Sequence, residues 1–217
     1  MRYSRFTDRR SAGRMLADAL REANDQRNDL VLALPRGGVP VGYEVALTLQ
    51  MPLDLFLVRK LGLPGQEELA MGAIAEDGRT FLDQELIDQA GIGQDALESV
   101  IAEERLELLH RERLYRSGPP KREIRGKRIV LVDDGIATGA TMRVAVTSLR
   151  AHDPTAITIA VPVGAPDTVE SLARIADRVL CLIRPAKLDS IGRWYRNFQQ
   201  TSDEEVCFLL NRLSSVQ

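Results

Sequence analysis

Residues 129–141 read IVLVDDGIATGAT, and this stretch decides the fold. Ile129, Val130, Leu131 and Val132 form a short apolar run with the composition of a strand buried on both faces. Two carboxylates, Asp133 and Asp134, follow at its carboxyl end. A turn of small residues then opens a helix carried by Val144, Ala145, Thr147, Ser148 and Leu149. The turn, Ala137, Thr138, Gly139, Ala140 and Thr141, can aim successive backbone N–H groups into one concavity at a helix N-terminus, where the partial positive charge favours a phosphate. Gly139 permits close approach, and the two hydroxyls add donors. The GxxxxGK[ST] pattern of nucleotide P-loops is absent and no lysine follows the turn, so the expected ligand carries an isolated phosphate.

Working outward, similar apolar runs recur at 30–34 (LVLAL), 53–58 (LDLFLV), 128–132 (RIVLV), 156–161 (AITIAV) and 178–183 (RVLCLI). Helical segments separate them. This alternation predicts an α/β fold, a parallel sheet of about five strands covered by helices on both faces. After the first run comes PRGG, with Pro40 placed for the first turn of the next helix. Residues 61–127 break the alternation and read as an insertion: a Gly-rich stretch, a hairpin through MGAIAEDGRTFL and a helix from about Asp95 to Tyr115. The apolar positions of that helix, Leu97, Val100, Ile101, Leu106, Leu109 and Leu114, mostly follow helical spacing. SGPPKREIRG then reads as a surface connection. Ser202 and Glu205 stand in capping-box spacing ahead of a final helix. The whole chain, 1–217, is expected to be one domain whose C-terminal element, about 186–217, forms a small hood.

Composition excludes several classes. Lys and Arg number 29 against 31 Asp and Glu, so the chain has no broad attraction for nucleic acid, although 116–128 (RSGPPKREIRGKR) is locally cationic. No stretch reaches the roughly 18 apolar residues that cross a bilayer, and MRYSRFTDRR is no secretory signal, so a cytoplasmic location is expected. Cys181 and Cys207 lack the spacing of a zinc site and suit buried packing. His110 and His152 lie in or just after charged helical sequence, which argues against a nucleophile and base pair. Asp133 and Asp134 alone make an incomplete calcium or zinc cage. Magnesium arriving on a phosphorylated ligand fits better, with no dedicated protein cage.

The segment 129–141 closely resembles the signature of the type I phosphoribosyltransferases. The resemblance spans roughly residues 28–185 and implies that Asp133 and Asp134 grip the ribose hydroxyls of phosphoribosyl pyrophosphate, while Ala137, Thr138, Gly139, Ala140 and Thr141 cradle its 5-phosphate. ALPRGG, 33–38, resembles the family's short pyrophosphate loop, which implies donor contacts at Arg36, Gly37 and Gly38 and a cis peptide at Arg36–Gly37 or Gly37–Gly38. VRKLGLPG, 58–65, resembles the RK segment of adenine-type members and implies donor contacts at Arg59 and Lys60, with Arg59 neutralising pyrophosphate. A guanidinium forks across two phosphate oxygens, which leaves Lys60 rather to tether the loop. Three such loops at three strand ends meet where parallel sheets bind ligands.

The implied reaction displaces pyrophosphate from the anomeric carbon by a nitrogen nucleophile, with Mg2+ and with Asp133, Asp134 and Arg59 as the catalytic set, as part of nucleotide metabolism. The partners are then phosphoribosyl pyrophosphate and a small nitrogenous acceptor, with no membrane and no nucleic acid; a homodimer is an allowed assembly. LGLPGQEELAMG, 61–72, reads either as a mobile cover over the site or as a surface hairpin. In DSIGRWYRNF, Trp194, Tyr195 and Phe198 read either as a stacking platform for the acceptor or as a hydrophobic anchor. Trp194, Tyr195 and Ile136 are the candidate acceptor contacts. Members that use 6-oxopurines carry an acid where this chain has Ala137, so the acceptor is expected to be another base-like compound. A non-catalytic regulator that binds a phosphoribosyl ligand is the alternative.

Overall fold

The structure is a computed structural model and describes residues 5–23, 28–115 and 121–214, except the side chains of Glu68 and Ser214. Five of its strands form one parallel sheet. They are β1 (Leu30–Ala33), β2 (Leu53–Leu55), β6 (Arg128–Val132), β7 (Ala156–Val163) and β8 (Arg178–Ile183), in the order β2-β1-β6-β7-β8. Every pair is parallel, with Val31 opposite both Leu53 and Val130. β1 is wholly buried, which explains why it is apolar at every position rather than at alternate ones.

Helices cover both faces. α1 (Arg9–Glu22) and α2 (Gly38–Leu49) pack with α7 (Asp203–Ser214) on one side, while α5 (Ala140–Arg150) and α6 (Pro166–Leu172) lie on the other. α1 lies outside the strand and helix pattern read from the sequence. It is started by a capping box in which Asp8 accepts from the backbone N–H of Ser11, and the Ser11 hydroxyl accepts from that of Asp8. At the other end of the chain Glu205 N–H donates to the Ser202 hydroxyl at 3.2 Å, starting α7 where expected.

The run 53–58 divides rather than forming one strand. β2 stops at Leu55, and Val58 begins a second, antiparallel sheet of β3 (Val58–Leu63), β4 (Gln66–Ala75) and β5 (Thr80–Leu82). The division is held at Leu57, whose N–H donates to the Glu76 carboxylate and whose carbonyl accepts from Glu76 N–H. The antiparallel unit therefore starts at Val58. Residues 61–72 form most of the β3–β4 hairpin, with Gly65 at φ +80° in its turn.

α3 (Gln84–Ala90) and α4 (Gln94–Tyr115) complete the insertion. The buried face of α4 carries Leu97, Leu108 and Tyr115, with Val100 and Ile101 packed beside them, as expected for Leu97, Val100 and Ile101, whereas Leu106, Leu109 and Leu114 are exposed. Residues 97, 101, 104, 108, 111 and 115 share one face at helical spacing, and this face includes the charged Glu104 and Arg111. The inward face is set by its own apolar residues, and the Arg59–Glu104 pair lies beside them. Among the described residues no helix is long and apolar enough to cross a membrane. Of the basic stretch 116–128, residues 116–120 lie outside the described ones.

Candidate active site

The site begins where β6 ends. Asp133 and Asp134 stand at the carboxyl edge of the central strand, and residues 135–139 turn back into α5. The turn is anchored rather than free. Ile136 N–H donates to the Val163 carbonyl at 2.9 Å, and Ala165 N–H donates back to Ile136 at 3.1 Å, so the loop is tied to the end of β7. Gly139 has φ +76°, and a Cβ there would lie 2.5 Å from Thr168 Cγ2. Both facts require glycine. Asp133, Asp134 and the turn through Thr141, with Met142 and Ile191, line a cavity of about 210 Å3. Ala137 and Thr138 are exposed to it, while Ile136 is buried.

The PRGG loop packs against the acidic pair. A Cβ on Gly37 would lie 2.1 Å from Asp134 Oδ2, and one on Gly38 would lie 2.8 Å from the Val132 carbonyl oxygen. The two glycines thus let the loop after β1 lie directly on the acidic pair. The cis peptide falls at Pro35–Arg36, one bond ahead of the two positions expected.

The acidic pair is electrostatically loaded. Burial, then the charge of Asp134, push the Asp133 carboxyl well above its ordinary range, against the Asp134 N–H that donates to Asp133 Oδ1 at 2.8 Å and the more distant Arg9. Burial also raises Asp134, opposed by Arg9, whose Nε donates to Asp134 Oδ2 at 2.8 Å. The Tyr195 hydroxyl donates to the Asp134 carbonyl oxygen at 2.5 Å, and burial raises that phenol above its ordinary value.

Other expected residues lie elsewhere. Arg36 pairs with Asp203 of α7 at 3.6 Å, and Arg59 on β3 pairs with Glu104 of α4 at 2.6 Å. Lys60 neighbours Arg59 on the same strand. None of these three lines the cavity beside the acidic pair. Tyr195 is not available as a stacking platform: its ring is buried between Phe6 and Phe198, at centroid distances of 5.4 and 5.0 Å. Trp194 is half-buried against the same cluster and accepts a backbone hydrogen bond from Phe6. These aromatics join the two ends of the chain.

Sequence reading missed Arg9, Glu104, Tyr115 and Asp203. Tyr115 donates a hydrogen bond to Asp203, which also meets Arg36. None of the four belongs to a local motif, because each partner is supplied by a remote segment.

Residues 3–195 match the phosphoribosyl transferase domain. The chain belongs to that family. A curated relative is Rv0571c of Mycobacterium tuberculosis, provisionally named a phosphoribosyl transferase, 45% identical over 207 residues. That match covers 95% of this chain and 46% of the relative, so the chain spans about half the length of that protein. The crystal structure of TT1426 from Thermus thermophilus is similar at 40% identity with a TM-score of 0.83, covering 96% of this chain and 99% of that one. A more distant family relative is the hypoxanthine/guanine phosphoribosyltransferase of Methanohalophilus mahii, 26% identical over 77% of this chain and 68% of its own length. The similarity to TT1426 extends over the five-stranded parallel sheet and its flanking helices.

Proposed function

We propose that this domain transfers the 5-phosphoribosyl group of phosphoribosyl pyrophosphate to a nitrogen nucleophile other than a 6-oxopurine. The observation that carries the reading is one cavity in which two carboxylates and a small-residue turn at a helix N-terminus face the same space. The turn suits the 5-phosphate, because backbone N–H groups and the Thr138 and Thr141 hydroxyls supply donors without a lysine. Asp133 and Asp134 suit the sugar hydroxyls, which donate to carboxylates. Gripping the sugar at both ends orients its anomeric carbon, so that much of the barrier is met by positioning.

Glycosyl transfer of this kind passes through an oxocarbenium-like state, which two nearby carboxylates favour electrostatically. The described residues contain no cluster of three or more His, Cys, Asp and Glu able to hold a metal. Asp134 is moreover engaged by Arg9. The donor set therefore suits magnesium held by the diphosphate and water, where it would offset the charge of the leaving group. Arg59 and Arg36 are the cations proposed for the diphosphate, each exchanging its present carboxylate partner for phosphate oxygens, with Lys60, Gly37 and Gly38 completing that contact.

The acceptor is narrowed by Ala137. By resemblance Ala137 takes the position of the acid of members that use 6-oxopurines, and its exposed methyl can neither accept nor donate a proton. Incubation with phosphoribosyl pyrophosphate, magnesium and a pool of nitrogen compounds should release pyrophosphate with one acceptor class. Tight donor binding without release for any acceptor would instead favour a phosphoribosyl-binding regulator.

A further inference from the structure

Asp134 is reached by segments far apart in the chain. Arg9 is nearly buried, with 11% of its side chain exposed, and it makes three contacts at once. Its Nε donates to Asp134 Oδ2 at 2.8 Å and its Nη1 donates to the Gln199 carbonyl at 2.6 Å. Its guanidinium carbon sits 3.8 Å from the centre of the Phe198 ring. The ion pair also stands between two cavities. Asp134 lines the one described above, and Arg9 lines a second of about 210 Å3 with Asp8, Pro40, Asn197 and Thr201.

A buried carboxylate beside a second carboxylate is costly to keep charged without an opposite charge at hydrogen-bond distance. The groups facing Asp134 are Asp133 from its own strand end, Arg9 from α1, and the Tyr195 hydroxyl on its backbone carbonyl. Arg9 is the one cation among them. Its planar fork and flat face let a single side chain meet a carboxylate, a backbone carbonyl and an aromatic ring, which a lysine cannot reproduce.

We propose that Arg9 is a positioning residue for the transfer reaction: by holding Asp134 Oδ2 it sets where Oδ1 points, and it locks residues 198–199 onto the ribose carboxylate. The inference rests on the reading of Asp134 as a ribose ligand. Arg9 touches no substrate itself and acts through Asp134. A donor that binds at Asp134 consequently senses the chain ends, since the same guanidinium holds both.

The test is calorimetric titration of phosphoribosyl pyrophosphate with magnesium into the wild type, Arg9→Lys, Arg9→Gln, Asp134→Asn and the double variant Arg9→Gln/Asp134→Asn. Loss of the charge-assisted pair should weaken donor binding about 10-fold or more in Arg9→Gln, with Arg9→Lys between it and the wild type. The double variant should bind no more weakly than Asp134→Asn alone, because residues acting as a unit do not add. Losses that multiply in the double variant would show that Arg9 only supports the fold, and would overturn the proposal. Tighter binding in Arg9→Gln would overturn it too, since Arg9 would then compete with the sugar. Should Arg9→Gln fail to fold, Arg9→Lys decides, and wild-type affinity there refutes the proposal. A wild type that binds no donor would instead defeat the proposed function, and this inference with it.

Discussion

The phenol oxygen of Tyr195 lies 2.5 Å from the carbonyl oxygen of Asp134, so the C-terminal segment is hydrogen-bonded to the backbone of the acidic pair itself. Tyr195 also forms a parallel bridge with Phe6, which brings the N-terminal segment to the same place. The ring of Tyr195, one of the aromatics that read from sequence as either a platform for a flat acceptor or an anchor, is buried where these segments meet. Tyr195→Phe keeps the ring packing and removes one buried hydrogen bond, so it should cost about 1–2 kcal/mol in unfolding free energy. It should also weaken donor binding, read by calorimetry. Unchanged stability and affinity would show that the hydroxyl is idle.

The two aspartates should behave differently when neutralised. Asp134→Asn breaks a nearly buried pair and leaves Arg9 without its carboxylate, an expected loss of about 3 kcal/mol. Asp133→Asn removes a like charge and should stay within about 1 kcal/mol of the wild type. Both should lower turnover about 100-fold if they orient the sugar. Denaturant unfolding and a pyrophosphate-release assay check the two halves separately.

Asp133 also predicts a pH dependence. Its folded-state pKa lies above the unfolded value, so between the two the native state holds the extra proton. Stability from this group is present at low pH and is lost as pH rises from the ordinary carboxylate value of 3.8 through the raised one. Unfolding midpoints measured across that range should fall less steeply in Asp133→Asn. Parallel curves for the variant and the wild type would argue against the raised pKa.

Gly37→Ala tests the contact between the PRGG loop and the acidic pair. Its methyl would lie 2.1 Å from Asp134 Oδ2, so the loop or the carboxylate must move. We expect a loss of about 1–3 kcal/mol from overpacking. Displacement near the reacting group should raise the donor KM about 10-fold or more. A variant with native stability and KM would mean that the loop yields freely.

Arg59→Lys should raise the donor KM more than Lys60→Arg does, because a guanidinium forks across two phosphate oxygens and an ammonium does not. The opposite order would exchange their roles.

Hypoxanthine and guanine should give negligible turnover, since the acid and base contribution missing at Ala137 is commonly worth about 100-fold or more. Efficient formation of inosine or guanosine monophosphate would refute this and point to a carboxylate from elsewhere, such as Glu67 of the β3–β4 hairpin.

Much of this protein is legible along the chain because its signals are local. Buried parallel strands are apolar in long runs, so 128–132 reads correctly to the residue, and so does the half-buried edge strand 178–183. A turn that aims N–H groups at a phosphate needs small residues in series, so 137–141 identifies itself. Tertiary structure decided what depends on a remote partner. Which of the apolar residues of α4 turn inward was settled by the core they meet: Leu97, Leu108 and Tyr115 are buried there, while Leu106, Leu109 and Leu114 face outward. Whether Tyr195 stacks on a ligand or anchors the chain ends was settled by Phe6, almost the whole chain away. The electrostatics of Asp134 depend on Arg9, 125 residues earlier, and no local spacing encodes a contact at that separation. Side-chain chemistry can be read in order along the chain, but charge compensation at a buried site is a property of three-dimensional neighbours.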